Sequence, residues 1–168
     1  MASKGNKKLM ETAIDNIPGK SVVVIVKTEW NAHIIDKLEA GCKKVLKAQG
    51  VKSKTVIVPG AVEIPFAINA YAKSTNRADA FVAFACVIKG DTPHFDYVCQ
   101  SITQGITTLN TQLDVPVIYG VLTVNTEEQA IERIGGKHGH KGEEAALTAL
   151  KMIALNNELT PVFHDLPF

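Results

Sequence analysis

The sequence predicts an α/β fold, a three-layer αβα sandwich in which helices cover both faces of a four-stranded parallel sheet. Several segments are continuous apolar runs rich in β-branched residues, which is typical of strands buried on both faces. Between them, apolar residues recur at steps of three and four, which indicates amphipathic helices. Because the two kinds of segment alternate along the chain, right-handed crossovers are expected. The 168 residues, of which 46% are hydrophobic, suit one domain with a substantial core.

The first half of the chain contains two strand–helix units. Residues 21–26 form the first β-branched run, and residues 31–49 carry their apolar side chains on one helical face. Charged residues, Glu39 among them, fall between the apolar ones and form the polar face of this helix. Gly50 follows at the position where a helix C-terminal cap is expected. A short strand over residues 55–58 and a helix over residues 63–73 complete this half.

The second half continues the same alternation and adds a last pair of helices. We expect strands over residues 80–88 and 115–122 and helices over residues 95–110, 126–134 and 142–155. The glycine-rich segment 135–142 matches neither the dinucleotide-binding nor the P-loop phosphate motif. It is therefore interpreted as a hinge between the last two helices.

The chain divides into three parts. Residues 1–20 are expected to form a flexible arm, which is able to add an edge strand to a neighbouring subunit. Residues 21–157 form the domain, and residues 158–168 form a tail with two prolines and no periodicity. The N-terminal residues lack the apolar stretch of a secretory signal, and no apolar run is long enough to span a bilayer.

Charge and cysteine content narrow the classes of partner. The 18 Lys and Arg residues are balanced by 17 Asp and Glu residues, whereas nucleic acids and acidic membranes require a concentrated basic face. The one basic cluster lies in the arm and is interpreted as a solvated tail. It consists of Lys4, Lys7 and Lys8. Three widely spaced cysteines, Cys42, Cys86 and Cys99, fit neither a disulfide framework nor a zinc site. These features predict a cytoplasmic protein without metal, nucleic acid or membrane partners.

The carboxyl ends of the predicted strands are the expected ligand-binding positions, because parallel α/β sheets bind ligands there. The segments to consider are residues 27–31, 59–63, 89–94 and 123–133. Two of their residues have both a structural and a functional interpretation. Trp30 is either a packing residue at the rim or a stacking surface for a flat heteroaromatic ring. Glu63 either complements the dipole of the following helix or, with the nearby N–H groups, holds a polyhydroxyl chain.

The third of these loops favours an anion and a proton-transfer group. Gly90 permits close approach of the backbone, Thr92 adds a hydroxyl, and the following helix offers free N–H groups. His94 stands at the start of that helix, where an imidazole exchanges protons near pH 7. A single histidine in a loop is also often incidental, so the residue type alone leaves both interpretations open.

The fourth loop leads into a helix that ends near Arg133. Thr126 and Gln129 have the spacing of a helix capping box. Arg133 either pairs with Glu128 or Glu132 on the helix surface or presents its guanidinium to a phosphate. Together the four loops indicate a small-molecule site, but they do not identify a reaction.

Five segments together closely resemble the lumazine synthase family. They are Trp30-Asn31, 58–65 (VPGAVEIP), 87–97 (VIKGDTPHFDY), 127–133 (EEQAIER) and 139–142 (GHKG). The resemblance extends in order and with similar spacing over residues 21–155. It implies a flavodoxin-like fold and the penultimate step of riboflavin biosynthesis. In that step 5-amino-6-(D-ribitylamino)uracil condenses with 3,4-dihydroxy-2-butanone 4-phosphate to 6,7-dimethyl-8-ribityllumazine, without a cofactor.

The resemblance also implies roles for individual residues. The ribitylaminouracil site would comprise Trp30, Ala61, Val62, Glu63, Cys86, Val87 and Ile88, closed by Tyr119 of a neighbouring chain. The butanone phosphate would bind at Asp91, Thr92 and Arg133, His94 would transfer protons, and Asn31 and Lys141 would support the site. Asp91 stands where the family often has a small residue. Since a carboxylate repels phosphate, its side chain is expected to turn away or to cap the next helix.

The same resemblance implies a homo-oligomer with the site between subunits. Members of the family form pentamers, and some assemble twelve pentamers into a hollow 60-mer. The absence of an insertion in residues 135–142 favours the larger particle, and an association with riboflavin synthase is compatible with it. Two alternatives are a non-catalytic shell and a flavin- or nucleotide-binding module of the same fold. The module lacks support because the loop after the first strand is not rich in Ser and Thr.

Overall fold

Strands and helices alternate along most of the chain, as described by a computed structural model covering residue 17 and residues 19–160. The strands are β1 (Val22–Thr28), β2 (Lys52–Val58), β3 (Ala80–Phe84), β4 (Cys86–Ile88), β5 (Val117–Tyr119), β6 (Leu122–Val124), β7 (Ile134–Gly136) and β8 (Gly139–His140). The helices are α1 (Ala32–Ala48), α2 (Ile64–Ala72), α3 (His94–Gln112), α4 (Glu127–Ile131) and α5 (Lys141–Leu159), with a 3-10 turn over Ala61–Glu63. Most of the predicted arm and tail lies outside the described residues.

Four parallel strands form the central sheet, in the order β2-β1-β3-β5. In the register of this sheet, Ile25 of β1 is paired with Thr55 on one side and with Val82 on the other. Non-consecutive neighbours such as β1 and β3 require crossovers, and the helices provide them. The predicted four-stranded parallel sheet is confirmed.

Alternate residues of β1 point into two separate hydrophobic cores, one on each face of the sheet. Val23 and Ile25 pack with residues of α1 and α5, whereas Val24 and Val26 pack with residues of α2 and α3. All four valine and isoleucine side chains are fully buried. Burial on both faces explains why this strand reads as a continuous apolar run and confirms the three-layer arrangement.

Two of the predicted strands are each interrupted near the middle, so their prediction as single strands was wrong. β3 and β4 are separated at Ala85, and β5 and β6 at residues 120–121. Backbone hydrogen bonds continue across the interruption, from Gly120 N to Ala83 O at 2.9 Å and from Leu122 N to Ala85 O at 2.8 Å. A Cβ on Gly120 would lie 2.6 Å from the Phe84 ring, so glycine is required by this close packing.

The glycine-rich segment after α4 is a small antiparallel hairpin of β7 and β8, so the interpretation as a hinge was wrong. Gly135 and Gly139 adopt positive φ angles of 116° and 77°, which side chains rarely tolerate. Gly50, the predicted cap of α1, also has a positive φ, 69°. None of the helices in residues 19–160 combines the length and the hydrophobicity that a membrane span requires.

Glu39 departs from the predicted polar face of α1. The periodicity places it among exposed charged residues, yet the residue is only 8% exposed. Its carboxylate pairs with Lys27 of β1 at 2.5 Å and with Lys43 at 2.6 Å. This network joins α1 to the sheet next to the loop that carries Trp30.

Candidate active site

A cavity of about 510 Å³ lies at the carboxyl ends of β1, β2 and β4. Its walls come from three of the loops that the sequence singles out, together with residues 85–88 and Val98 of α3. They are formed by Thr28, Trp30, Asn31, Gly60, Ala61, Val62, Glu63, Ala85, Cys86, Val87, Ile88, His94 and Val98. The predicted ribitylaminouracil residues of one chain, Tyr119 excepted, therefore share one cavity with His94.

Trp30 borders this cavity with most of its side chain free. The residue is 73% exposed, so little protein packs against the indole. Its backbone is held by the Thr28 hydroxyl, which donates to Trp30 O at 3.1 Å, and by a bond of 3.4 Å from Trp30 N to Pro59 O. An exposed flat ring beside a cavity provides a surface on which a heteroaromatic ligand can stack.

Glu63 lies beside the same part of the cavity wall. A Cβ built on Gly60 would lie 3.0 Å from Glu63 Oε2 and 3.9 Å from Trp30 Cδ1, so Gly60 lies next to both the carboxylate and the indole. Glu63 makes no side-chain cap for α2. Its carboxylate therefore remains available to accept hydrogen bonds from a ligand.

Cys86 contributes an apolar wall to the cavity. Burial, together with the negative charge of Glu127, raises the pKa of its thiol to about 11. A thiol with so high a pKa stays protonated near neutral pH and is a poor nucleophile. The cavity therefore gives no support to covalent catalysis by cysteine.

His94 is the first residue of α3 and lines the cavity with an exposed side chain. None of the other described residues forms a hydrogen bond with its imidazole. Both ring nitrogens are therefore free to exchange a proton with a bound molecule. The N-terminus of α3 at the same position presents unpaired backbone N–H groups.

Asp91 and Thr92 precede His94 but do not line the cavity of their own chain. Both side chains are exposed, and α3 has no side-chain cap at its N-terminus. The expectation that Asp91 caps this helix is therefore not met, whereas its exposure agrees with a side chain turned outward.

Arg133 lies after α4 and also remains outside the cavity of its own chain. Its Nη1 donates to Gln129 O at 2.7 Å. Glu132, one expected partner, pairs instead with Lys137 at 2.6 Å. Over the described part of the chain, Arg133 forms no ion pair with a carboxylate, so its charge is available to an anion. Thr126 Oγ1 accepts from Gln129 N at 3.4 Å, as the capping box predicts.

Tyr119 and Lys141 lie in a second cleft of about 480 Å³ between β5 and α5. The Tyr119 hydroxyl lies 3.1 Å from Thr103 Oγ1, and Lys141 Nζ is paired with Glu144 at 2.7 Å. Lys141 N also donates to Arg133 O at 2.8 Å, so the Arg133 backbone adjoins this cleft. Two of the predicted site residues, Tyr119 and Lys141, thus line a cleft other than the cavity beside Trp30, whereas Asp91, Thr92 and Arg133 line neither.

Four residues of the cavity wall were not predicted as site residues, namely Thr28, Gly60, Ala85 and Val98. The sequence contained a signal for Val98, since this residue follows His94 by one helical turn and lies on the same helix face. Ala85 had none, because the interruption between β3 and β4 is not visible in the apolar run. In the described part of the chain, no group of three or more His, Cys, Asp or Glu residues is arranged to hold a metal ion.

Comparison with known proteins assigns this arrangement to a family. The model of the 6,7-dimethyl-8-ribityllumazine synthase family matches residues 20–157, which is most of the chain. The chain belongs to the 6,7-dimethyl-8-ribityllumazine synthase family. It is accordingly an enzyme of riboflavin biosynthesis, a transferase that forms the lumazine.

Several bacterial relatives carry the name of this family. A 6,7-dimethyl-8-ribityllumazine synthase of Bacteroides fragilis is 51% identical over 132 residues, which cover 77% of this chain and 92% of that protein. One of Porphyromonas gingivalis is 49% identical over 146 residues, covering 84% and 90% of the two chains. One of Parabacteroides distasonis is 43% identical over 152 residues, covering 88% and 94%. The similarity therefore extends over nearly the whole length of these relatives.

Proposed function

We propose that the cavity beside Trp30 is where 5-amino-6-(D-ribitylamino)uracil condenses with 3,4-dihydroxy-2-butanone 4-phosphate. One observation carries this proposal: Trp30, Glu63 and His94 line a single cavity of about 510 Å³. A stacking surface, a hydrogen-bond acceptor and a proton-transfer group thus adjoin one another. The volume lies within the range of ordinary small-molecule sites.

The ribitylaminouracil occupies the wall between β1 and β4. Its ring stacks on the exposed indole of Trp30 and packs against Cys86, Val87 and Ile88. Its ribityl hydroxyls bond to the Glu63 carboxylate and to the backbone of residues 61–62. The Glu63 side chain is exposed and its carboxylate makes no capping hydrogen bond to α2, which supports this assignment.

The butanone phosphate binds at the start of α3. The phosphate accepts hydrogen bonds from backbone N–H groups near Asp91 and Thr92, where the helix dipole favours an anion. Arg133 supplies a guanidinium, which suits phosphate because it donates two parallel hydrogen bonds. Its lack of a carboxylate partner among the described residues supports this role.

The chemistry consists of addition, elimination and ring closure. The 5-amino group attacks the ketone to form an imine and water, inorganic phosphate is eliminated, and ring closure releases water to give the lumazine. His94 transfers protons in these steps. Both substrates are reactive on their own, so holding them together contributes much of the acceleration, and proton transfer adds roughly 10²–10⁴-fold.

The complete site lies between subunits of a homo-oligomer. Tyr119 does not line the cavity beside Trp30 in its own chain but lines the second cleft with Lys141. In a ring of subunits, the Tyr119 of one chain closes the cavity of the next. We propose a pentamer and, because residues 135–142 form a short hairpin without an insertion, an assembly of twelve pentamers that is able to associate with riboflavin synthase.

The domain spans residues 21–157, with the arm and tail on either side, and the enzyme works in the cytoplasm. Three free thiols, Cys42, Cys86 and Cys99, are compatible with a reducing compartment. A non-catalytic shell or a flavin-binding module is not favoured, because the family match spans the domain and the cavity combines Trp30 with His94.

A direct assay tests the proposal. The purified protein is mixed with both substrates, and formation of the lumazine is followed by its absorbance and fluorescence. Product formation that requires both substrates is the expected result, and no product from folded protein would overturn the proposal. Analytical sizing of the same sample distinguishes a pentamer from a 60-mer.

A further inference from the structure

The position of the Trp30 indole depends on its backbone, because the ring has little packing of its own. The residue is 73% exposed. Its turn is tied to the loop after β2 by a bond of 2.9 Å from Glu29 N to Val58 O and by the longer bond from Trp30 N to Pro59 O. Both bonds hold the residues of the turn up to Trp30. The link between Trp30 and α1 is made by the next residue, Asn31.

Asn31 has an unusual backbone conformation. With φ 58° and ψ 38°, it is left-handed, and it is the one non-glycine residue with positive φ in residues 19–160. Asparagine tolerates this region better than most residues. This conformation lies between Trp30 and Ala32, the first residue of α1, so it sets how the helix leaves the turn that carries the indole.

The side chain of Asn31 does not make the hydrogen bond that is usual for an asparagine at a helix N-cap. It is the N-cap residue of α1, where asparagine ordinarily accepts a hydrogen bond from the next turn, but it makes no such cap. Instead Asn31 Nδ2 donates to Cys86 O at 2.9 Å. Cys86 is in β4, on the cavity wall beside Val87 and Ile88.

We propose that Asn31 is a positioning residue that sets the distance and orientation between the Trp30 indole and the β4 wall. Its left-handed backbone directs the ring toward the cavity, and its amide ties the turn to the strand on which the substrate ring packs. The consequence for catalysis rests on the proposed stacking of the uracil on Trp30. The effect on the indole itself does not depend on any substrate.

Three substitutions separate the two contributions. Asn31→Gly tolerates positive φ but lacks the amide, and Asn31→Asp keeps the size but places a carboxylate against Cys86 O. Asn31→Ala loses the amide and also disfavours the left-handed backbone. Asn156→Asp is a matched control, because Asn156 Nδ2 donates to Asp114 O at the same distance, 2.9 Å, in a different region.

The readouts are the time-resolved fluorescence anisotropy of Trp30 without substrate and the KM for each substrate. Trp30 is the only tryptophan in the chain, so the signal reports one ring. All three Asn31 variants should increase local motion of the indole, with the alanine variant showing the largest effect. They should raise KM for the ribitylaminouracil about tenfold, the effect of one lost hydrogen bond, and change KM for the butanone phosphate less than about threefold. The control should change neither readout.

The possible failures are distinguishable. Unchanged anisotropy and an unchanged ratio of the two KM values in folded Asn31 variants would overturn the positioning role. The proposed function would remain intact in that case, provided that the wild-type protein forms the lumazine from both substrates. Looser indole motion without any change in KM would also overturn the catalytic part of the inference. Trp30→Ala tests the premise: if it leaves KM for the ribitylaminouracil unchanged, stacking on Trp30 is wrong, whatever the anisotropy shows.

Discussion

Glu39 on α1 accepts a hydrogen bond of 2.6 Å from the hydroxyl of Thr55 on β2. The same carboxylate is paired with Lys27 and Lys43. Burial raises the pKa of Glu39, but the three hydrogen bonds outweigh this effect and hold the pKa at about 2, below its ordinary value of 4.5. The carboxylate is therefore a charged anchor between the helix and the sheet.

Stability should decrease in acid because of this anchor. The folded-state pKa is depressed, so the contribution of Glu39 is present above pH 4.5 and is lost as the pH falls toward 2. Glu39→Gln should lower the free energy of unfolding at pH 7 by about 1–3 kcal/mol. The difference from wild type should shrink below pH 4.5. Chemical denaturation at fixed protein concentration measures it, and exposed Glu158→Gln is the control. A difference that stays constant with pH would contradict the assignment.

His94→Ala should slow turnover without abolishing it. Proton transfer by a side chain is worth roughly 10²–10⁴-fold, while the stacking surface and anion site remain in the variant. Steady-state kinetics and a pH profile measure the loss, with His138→Ala on the β7–β8 hairpin as the control. Two results would disagree with this proton-transfer role, namely complete inactivity of a folded variant and an unchanged kcat.

Arg133→Ala should weaken the binding of the butanone phosphate much more than the binding of the ribitylaminouracil. Loss of a charge-assisted contact to phosphate should raise KM for that substrate by roughly 10–100-fold. The chain has one other arginine, Arg77, which is exposed and paired with Asp79 at 2.9 Å. Arg77→Ala therefore serves as the control. Equal effects on both substrates would count against phosphate binding by Arg133.

Gly142→Ala should destabilise the contact between α5 and α1. A Cβ at this position would lie 2.0 Å from Leu38 O, so one of the two helices must shift. Overpacking of this kind costs about 1–3 kcal/mol, which a thermal melt detects as a lower Tm. Gly19→Ala is the control, because its Cβ would meet no atom within 4 Å. An unchanged Tm for Gly142→Ala would show that the contact adjusts without cost.

Mixing two variants should show whether the site is shared between chains. Trp30→Ala and Tyr119→Ala each damage one side of the proposed site. In equal mixtures that exchange subunits, about a quarter of the interfaces in a head-to-tail ring would combine intact Trp30 with intact Tyr119. Activity above the mean of the two unmixed variants is expected. No gain after demonstrated exchange would place both residues in the site of one chain.

The arrangement of the fold could be predicted because periodicity records how many faces of a segment are buried. Val23–Val26 predicted a strand covered on both sides. The rule that ligands bind beyond the carboxyl ends of parallel strands then singled out the segments that contain Trp30 and His94. The interruption at Ala85 could not be predicted, since the apolar run of the sequence continues through it without a break. The prediction that Glu39 is exposed was wrong for a similar reason. The helical pattern of one segment does not reveal a partner such as Lys27 on another element.

The sequence by itself determined the layered α/β fold, the family and which loops carry polar and aromatic groups, because these follow from local patterns and motifs. Only the tertiary structure decided that Asn31 reaches Cys86, 55 residues away in the chain, and that Tyr119 lies apart from the Trp30 cavity. Contacts between distant segments depend on how strands and helices pack. The periodicity of one segment carries no information about the side chain that another segment places opposite it.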